Sequence, residues 1–242
     1  MSHDHGHDHA PRTGFPWGLL LALLSSVAIC WLGVTGRLNL YIHPRYNLFT
    51  IVMAGLAVVG TVAAWVVRGR RGGGSGRSWA AIVAAAAMMV ALFVVPPSTL
   101  TASSAQQRSP NSGSDADTTR LAGASPASFR LRDWADLVLN PDSAARYAGQ
   151  QVKLTGFVAP TDDKRSDMFY VAKFVVTCCT VDARPALVPV SKPDWAKSYK
   201  ADQWVEVTGR MMPVEGAPGG AVLVIRPTGI RPVPAPEIPY EY

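Results

Sequence analysis

Three long stretches without a charged residue constrain this chain more than any other feature. The first lies between Arg12 and Arg37 and contains FPWGLLLALLSSVAICWLGVT. The second covers residues 46–67, and the third covers residues 79–95 and runs into Pro96 and Pro97. Each is close to the ~17–25 residues that a helix needs to cross the hydrocarbon core of a bilayer. The first is too long for the apolar part of a signal peptide, no A-x-A cleavage site follows it, and more apolar stretches come next. The pattern predicts a transmembrane region of three helices over residues 15–97, preceded by a short tail over residues 1–14.

Arginine placement orients these helices. RGRRGGGSGR, between the second and third stretches, holds Arg68, Arg70, Arg71 and Arg77, whereas GRLNLYIHPRY, between the first and second, holds only Arg37 and Arg45. The four-arginine loop is therefore expected in the cytoplasm. The N-terminus falls on that side too, and everything after Pro97 lies outside the plasma membrane. The formal charge of +6 follows this layout: residues 1–97 carry seven arginines against two aspartates, and the remainder is nearly balanced. A nearly neutral exported domain offers no basic surface for nucleic acid.

Residues 98–128 are rich in Ser, Ala, Thr and Gly and are too poor in apolar side chains to offset the entropy of ordering. They read as a flexible tether. Order is expected from Phe129. FRLRDWADLVLN reads as a strand or turn and then a helix, with a second short helix ending at Gly149. A near-repeat follows, GQQVKLTGFVAP at 149–160 and DQWVEVTGRMMP at 202–213. Alternating apolar residues mark both as half-buried strands, and Gly156 and Gly209 inside them suggest bulges or barrel corners. Three more strands are expected at 168–179, 186–192 and 221–234, with a short helix or turn in WAKSYKAD. Five strands with a helical insert before the fourth suggest a small OB-type barrel over residues 129–234. A generic β-sandwich is the competing architecture. The proline-rich tail, 235–242, reads as extended.

Cys178 and Cys179 sit side by side in FVVTCCTVDA. By strand alternation, Tyr170, Ala172, Phe174, Val176 and Cys178 share an apolar face expected to point into the barrel, and Cys179 points out. A joint role for the two thiols requires the strand to end or kink there, as Asp182 and Pro185 suggest. Three readings stay open: inert packing, a strained vicinal disulfide, or a soft-metal site using Cys178, Cys179 and Asp182 with a further ligand from a partner. Outside the membrane thiols tend to oxidise. Adjacent Cα atoms about 3.8 Å apart fall short of the usual disulfide span of roughly 4.4–6.8 Å. The exported region has no histidine, which rules out a self-contained Cys/His zinc site there. It also offers no histidine base, no Ser/His/Asp set and no phosphate loop, so the chain does not read as an enzyme.

The tail MSHDHGHDHAPR carries His3, His5, His7 and His9 between Asp4 and Asp8, a composition suited to a divalent metal such as zinc. It falls on the cytoplasmic side, away from the cysteines. His43 and Arg45, in LYIHPRY at the outer end of the first helix pair, are candidates for contact with a partner.

GRLNLYIHPRYN, RYAGQQVKLTGFV, FYVAKFVVTCCTVDARP and DQWVEVTGRM together resemble the YcgQ family of bacterial membrane proteins, described as permease subunits. The most specific element is Cys178, Cys179, Asp182 and Ala183. The resemblance implies a polytopic permease as partner and a setting of zinc-linked or small-solute transport, without a mechanism. The expected protein is thus a membrane-anchored α + β chain: three transmembrane helices followed by a small extracytoplasmic five-stranded OB-like β-barrel. Its expected role is that of an accessory subunit of a permease complex. The alternative is a free-standing extracytoplasmic thiol-redox or metal-delivery protein.

Overall fold

The computed structural model describes residues 17–70, 99–108, 121, 124–161 and 166–242. It divides into two units, and residues Leu40–His43 belong with Ser98–Tyr242 in the second. The histidines at 3, 5, 7 and 9 and the apolar stretch 79–95 lie outside the described residues.

The first unit is a pair of apolar helices, α1 (Trp17–Val34) and α2 (Asn47–Arg70). Gly33 sets their approach, since a Cβ there would meet the side chain of Ile51 at 2.5 Å. Hydroxyls within the helices return to their own backbone: Ser26 Oγ donates to Ala22 O and Thr61 Oγ1 to Ala57 O, so neither needs water. Leu48, Phe49, Val52, Leu56 and Val59 of α2 are exposed, an arrangement suited to apolar surroundings. Residues Pro44–Arg68 are long and apolar enough to cross a membrane; the helix over Gly18–Val34 is apolar but shorter. One candidate span is therefore found among the described residues where the sequence predicts two, with the third prediction outside them.

The second unit is a closed five-stranded barrel. Helices α3 (Ala102–Gln107), α4 (Leu131–Leu137) and α5 (Pro141–Tyr147) precede β1 (Gln151–Pro160), β2 (Met168–Val175) and β3 (Arg184–Ser191). The short α6 (Trp195–Ser198) leads to β4 (Trp204–Pro213), β5 (Leu223–Pro232) and β6 (Tyr240–Glu241). The order is β1-β4-β5-β3-β2, and β1 closes the ring by pairing with β2. All ring pairings are antiparallel except β3 with β5.

Both repeat glycines stand where the sheet changes direction. Before Gly156, β1 pairs only with β4; from Phe157 it also meets β2. A Cβ on Gly156 would collide with the backbone oxygen of Ala172. The ladder of β4 and β5 slips by a residue between Thr208 and Gly209. There a Cβ would collide with Arg226 O. The glycines allow backbone to approach backbone, and the bulge bends the strand into a closed ring.

The barrel interior is filled from every strand by Val152, Leu154, Phe169, Val171, Val188, Val207 and Ile225, together with Trp134 of α4. This reverses the predicted facing of β2. Phe169 and Val171 point inward, while Tyr170, Ala172, Phe174 and Val176 form a second apolar cluster with Phe157 and Leu187 of the neighbouring strands. Ala102 and Ala105 of α3 and Tyr240 of β6 belong to this outer cluster. Two boundaries shift for the same reason. Residues 102–107, predicted as tether, form a helix, and the tail predicted to follow the barrel supplies β6, parallel to β2. Both elements shield apolar side chains of β2 that a bare five-stranded barrel would leave in water.

Candidate functional site

The segment after β2 carries the cysteines. β2 stops at Val175, three residues before Cys178, so the alternation that would send the two thiols to opposite faces no longer applies. A tight loop replaces the strand. The Asp182 carboxylate accepts three consecutive backbone N–H groups: Thr177 N at 3.3 Å, Cys178 N at 2.7 Å and Cys179 N at 3.3 Å. Asp182 N donates back to Cys179 O at 3.1 Å. Three converging amides form a concave donor site that elsewhere holds an anion; here the chain supplies its own carboxylate.

Two other segments hold the loop. His43 N donates to Cys178 O and Thr180 N to Tyr41 O, both at 2.9 Å, and Ile42 and Cys179 form an antiparallel bridge. Arg108, just after α3, donates through Nη1 to Thr180 O at 3.0 Å and Ala183 O at 2.6 Å. Every backbone N–H and C=O of Cys178 and Cys179 is therefore engaged. The side chain of His43 meets the ring of Tyr242 edge-on at 4.8 Å.

The Cys178 side chain is exposed and that of Cys179 half-buried, and no disulfide joins them. The predicted metal set does not fit this geometry. Both oxygens of Asp182 face the backbone amides. Among the described residues no three His, Cys, Asp or Glu side chains gather as a metal site requires. His43 and Arg45, the candidates for contact with a partner, are assigned to different units. His43 joins the barrel unit, whereas Arg45 lies over the ring of Tyr46 at 4.9 Å in the helical unit.

Sequence reasoning missed Arg108 and Tyr240, whose segments looked featureless. Tyr240 is buried, and its hydroxyl accepts from Leu100 N at 3.3 Å. The N-terminus of α3 is capped from a distance: Ala102 N donates to the Asp202 carboxylate at 2.5 Å. Asp202 sits at φ 65, a left-handed conformation that aspartate tolerates.

Burial raises the Tyr240 phenol above its ordinary value, and burial does the same for Tyr242. An unfolded tyrosine ionises near pH ~10. Since the folded value is higher, the stability conferred by the neutral buried phenol is complete below about pH 10 and is lost as pH rises through the folded value. Denaturant titration of the full chain in detergent between pH 8 and 11 is expected to show this loss, and Tyr240→Phe to flatten part of it. Equal slopes for the two proteins would remove Tyr240 as the cause.

The fold and loop define a class: a closed five-stranded barrel with an internally capped dithiol loop, following a pair of apolar helices. Residues 135–242 match the DUF1980 C-terminal domain. The matched region starts inside α4 and includes the barrel, the cysteine loop and β6, so the last strand belongs to the domain. No curated protein and no solved structure matches the chain.

Proposed function

We propose that the chain is an accessory subunit of a membrane permease complex. In this reading α1, α2 and the apolar stretch 79–95 cross the plasma membrane, and the barrel stands outside it. The supporting observation is the pairing of residues 41–43 with residues 178–180. The first of these segments lies between α1 and α2 in the chain; the second lies in the barrel. Backbone groups that hydrogen-bond to each other stand on the same side of a bilayer. If α2 crosses, the chain must cross once more before the barrel, and residues 79–95 are the apolar stretch available. The arginine-rich segment then falls in the cytoplasm, in accord with its charge.

The order β1-β4-β5-β3-β2 with parallel β3 and β5 is the connectivity of an OB-type barrel, an architecture used for recognition. Together with the resemblance to the YcgQ family, this favours a docking and recognition role over catalysis. Zinc-linked transport would involve the permease or the histidine tail rather than the cysteine loop.

Labelling with a membrane-impermeant maleimide tests the topology, because Cys178 is exposed. In a Cys30→Ser background, intact spheroplasts are expected to label at residue 178 without permeabilisation. Labelling only after permeabilisation overturns the arrangement. Purification in mild detergent is expected to bring down a polytopic membrane protein, and recovery of the chain alone counts against the accessory role.

A further inference from the structure

The barrel has an incomplete seam. β1 pairs with β2 only from Phe157 to Pro160, leaving residues 151–156 with β4 as their one strand partner among the described residues. On the far side of the seam, β2 continues to Val175 beside β6. Between these edges lies an open groove of about 400 Å³.

The β1 edge facing the groove can be read from its ladder. Val158 N donates to Gln203 O and Val158 O accepts from Asp202 N, so the backbone groups of Val158 face the β4 side. Counting back by twos, residues 156, 154 and 152 also face β4, while residues 155 and 153 turn their N–H and C=O groups toward the groove. Lys153 and Thr155 both line it. An extended segment can take up these groups as an added strand.

Charge selects the kind of segment. Arg130, Lys153 and Lys173 line the groove with one side-chain carboxylate, Glu241, and with the last residue, Tyr242, whose backbone oxygen accepts from Arg132 Nη1 at 3.4 Å. Glu241 is already engaged, by Lys173 Nζ at 3.6 Å and by the backbone N–H of Arg132 at 3.2 Å. Lys153, well exposed, shares Glu206 with Arg231 and so leaves that trio with an excess positive charge. Phe129 and Tyr242 supply aromatic walls.

We propose that this groove binds an extended acidic segment of a partner protein, which adds as a strand to β1 at residues 153–155. Backbone pairing to the edge provides the register. Arg130 and Lys153 select carboxylates on alternate side chains. The proposal does not depend on the permease reading, since it concerns the barrel surface alone.

The test uses the full chain in detergent and a fluorescent, end-blocked heptapeptide alternating glutamate and threonine, followed by anisotropy. Saturable binding that weakens with salt is expected, with a lysine–threonine peptide at least about tenfold weaker. Thr155→Pro removes the groove-facing N–H while leaving the β4 ladder intact, and is expected to weaken binding about tenfold. Lys153→Glu, at an exposed side chain, is expected to do the same and guards against a proline variant that fails to fold. Three outcomes overturn the proposal: no binding of the acidic peptide, equal binding of the basic one, or full competition by free glutarate. The last would mark a small-anion site without strand addition. Undiminished binding by folded Thr155→Pro would overturn the strand geometry.

Discussion

Replacing Asp182 with alanine is expected to unfold the cysteine loop and loosen what is docked on it. Its carboxylate gathers the N–H groups of residues 177, 178 and 179. A hydrogen bond to a charged group contributes about 1.5–3 kcal/mol when shielded. The loop is partly open to water, so the three together are expected to cost about 2–4 kcal/mol. The measurements are denaturant unfolding and the rate of thiol labelling at Cys179, which is half-buried in the native loop. Faster labelling together with lower stability is the expected pair. Asp182→Asn, which keeps one acceptor oxygen, is expected to fall between. Wild-type labelling in Asp182→Ala would show that residues 41–43 and Arg108 hold the loop unaided.

A methyl group on Gly156 is expected to be more damaging. The added Cβ meets backbone, the Ala172 oxygen, which cannot rotate away as a side chain can. Either β1 or β2 must move at the point where their pairing begins, and the ring opens there. A loss of at least ~3 kcal/mol is expected for Gly156→Ala, at the upper end of ordinary substitutions. Gly149→Ala is the control. Its φ of 79 is strained for alanine, but no atom lies within 4 Å of the new Cβ, so a milder loss is expected. Equal losses at both positions would assign the effect to backbone conformation and not to collision.

These glycines show why part of the architecture could be read from the chain. A glycine inside an otherwise good strand is a local signal, and the bends at Gly156 and Gly209 are local events. The strand repeats and the short helices before β1 were accessible for the same reason. The facing of β2 was not. Alternation states that residues 169 and 170 point opposite ways, but not which way is inward when both faces are apolar. That choice depends on α3 and β6, from segments that read as a flexible tether and an extended tail. Ala102 and Ala105 carry too little apolar surface to announce a core contact. Arg108 and Asp202 act across distances in the chain that no motif records. The cysteine loop was half readable: an end to the strand was expected, while the use of Asp182 as a backbone cap was not. A carboxylate four residues after a cysteine reads equally well as a ligand or as a turn former.

The pairing of Tyr41 with Thr180 also has a consequence for biogenesis. Roughly 140 residues separate the two partners along the chain. At translation rates of about 5–20 residues per second, the earlier segment waits on the order of ten seconds for the later one to be made. During that wait its backbone groups lack these partners, and the bridge cannot form until β1, β2 and the cysteine loop have been made. The Ile42 and Cys179 bridge is thus a late fastening, and Cys179 reports on it. A thiol that grows less accessible as the bridge closes is a natural clock for maturation, readable by pulse labelling during synthesis.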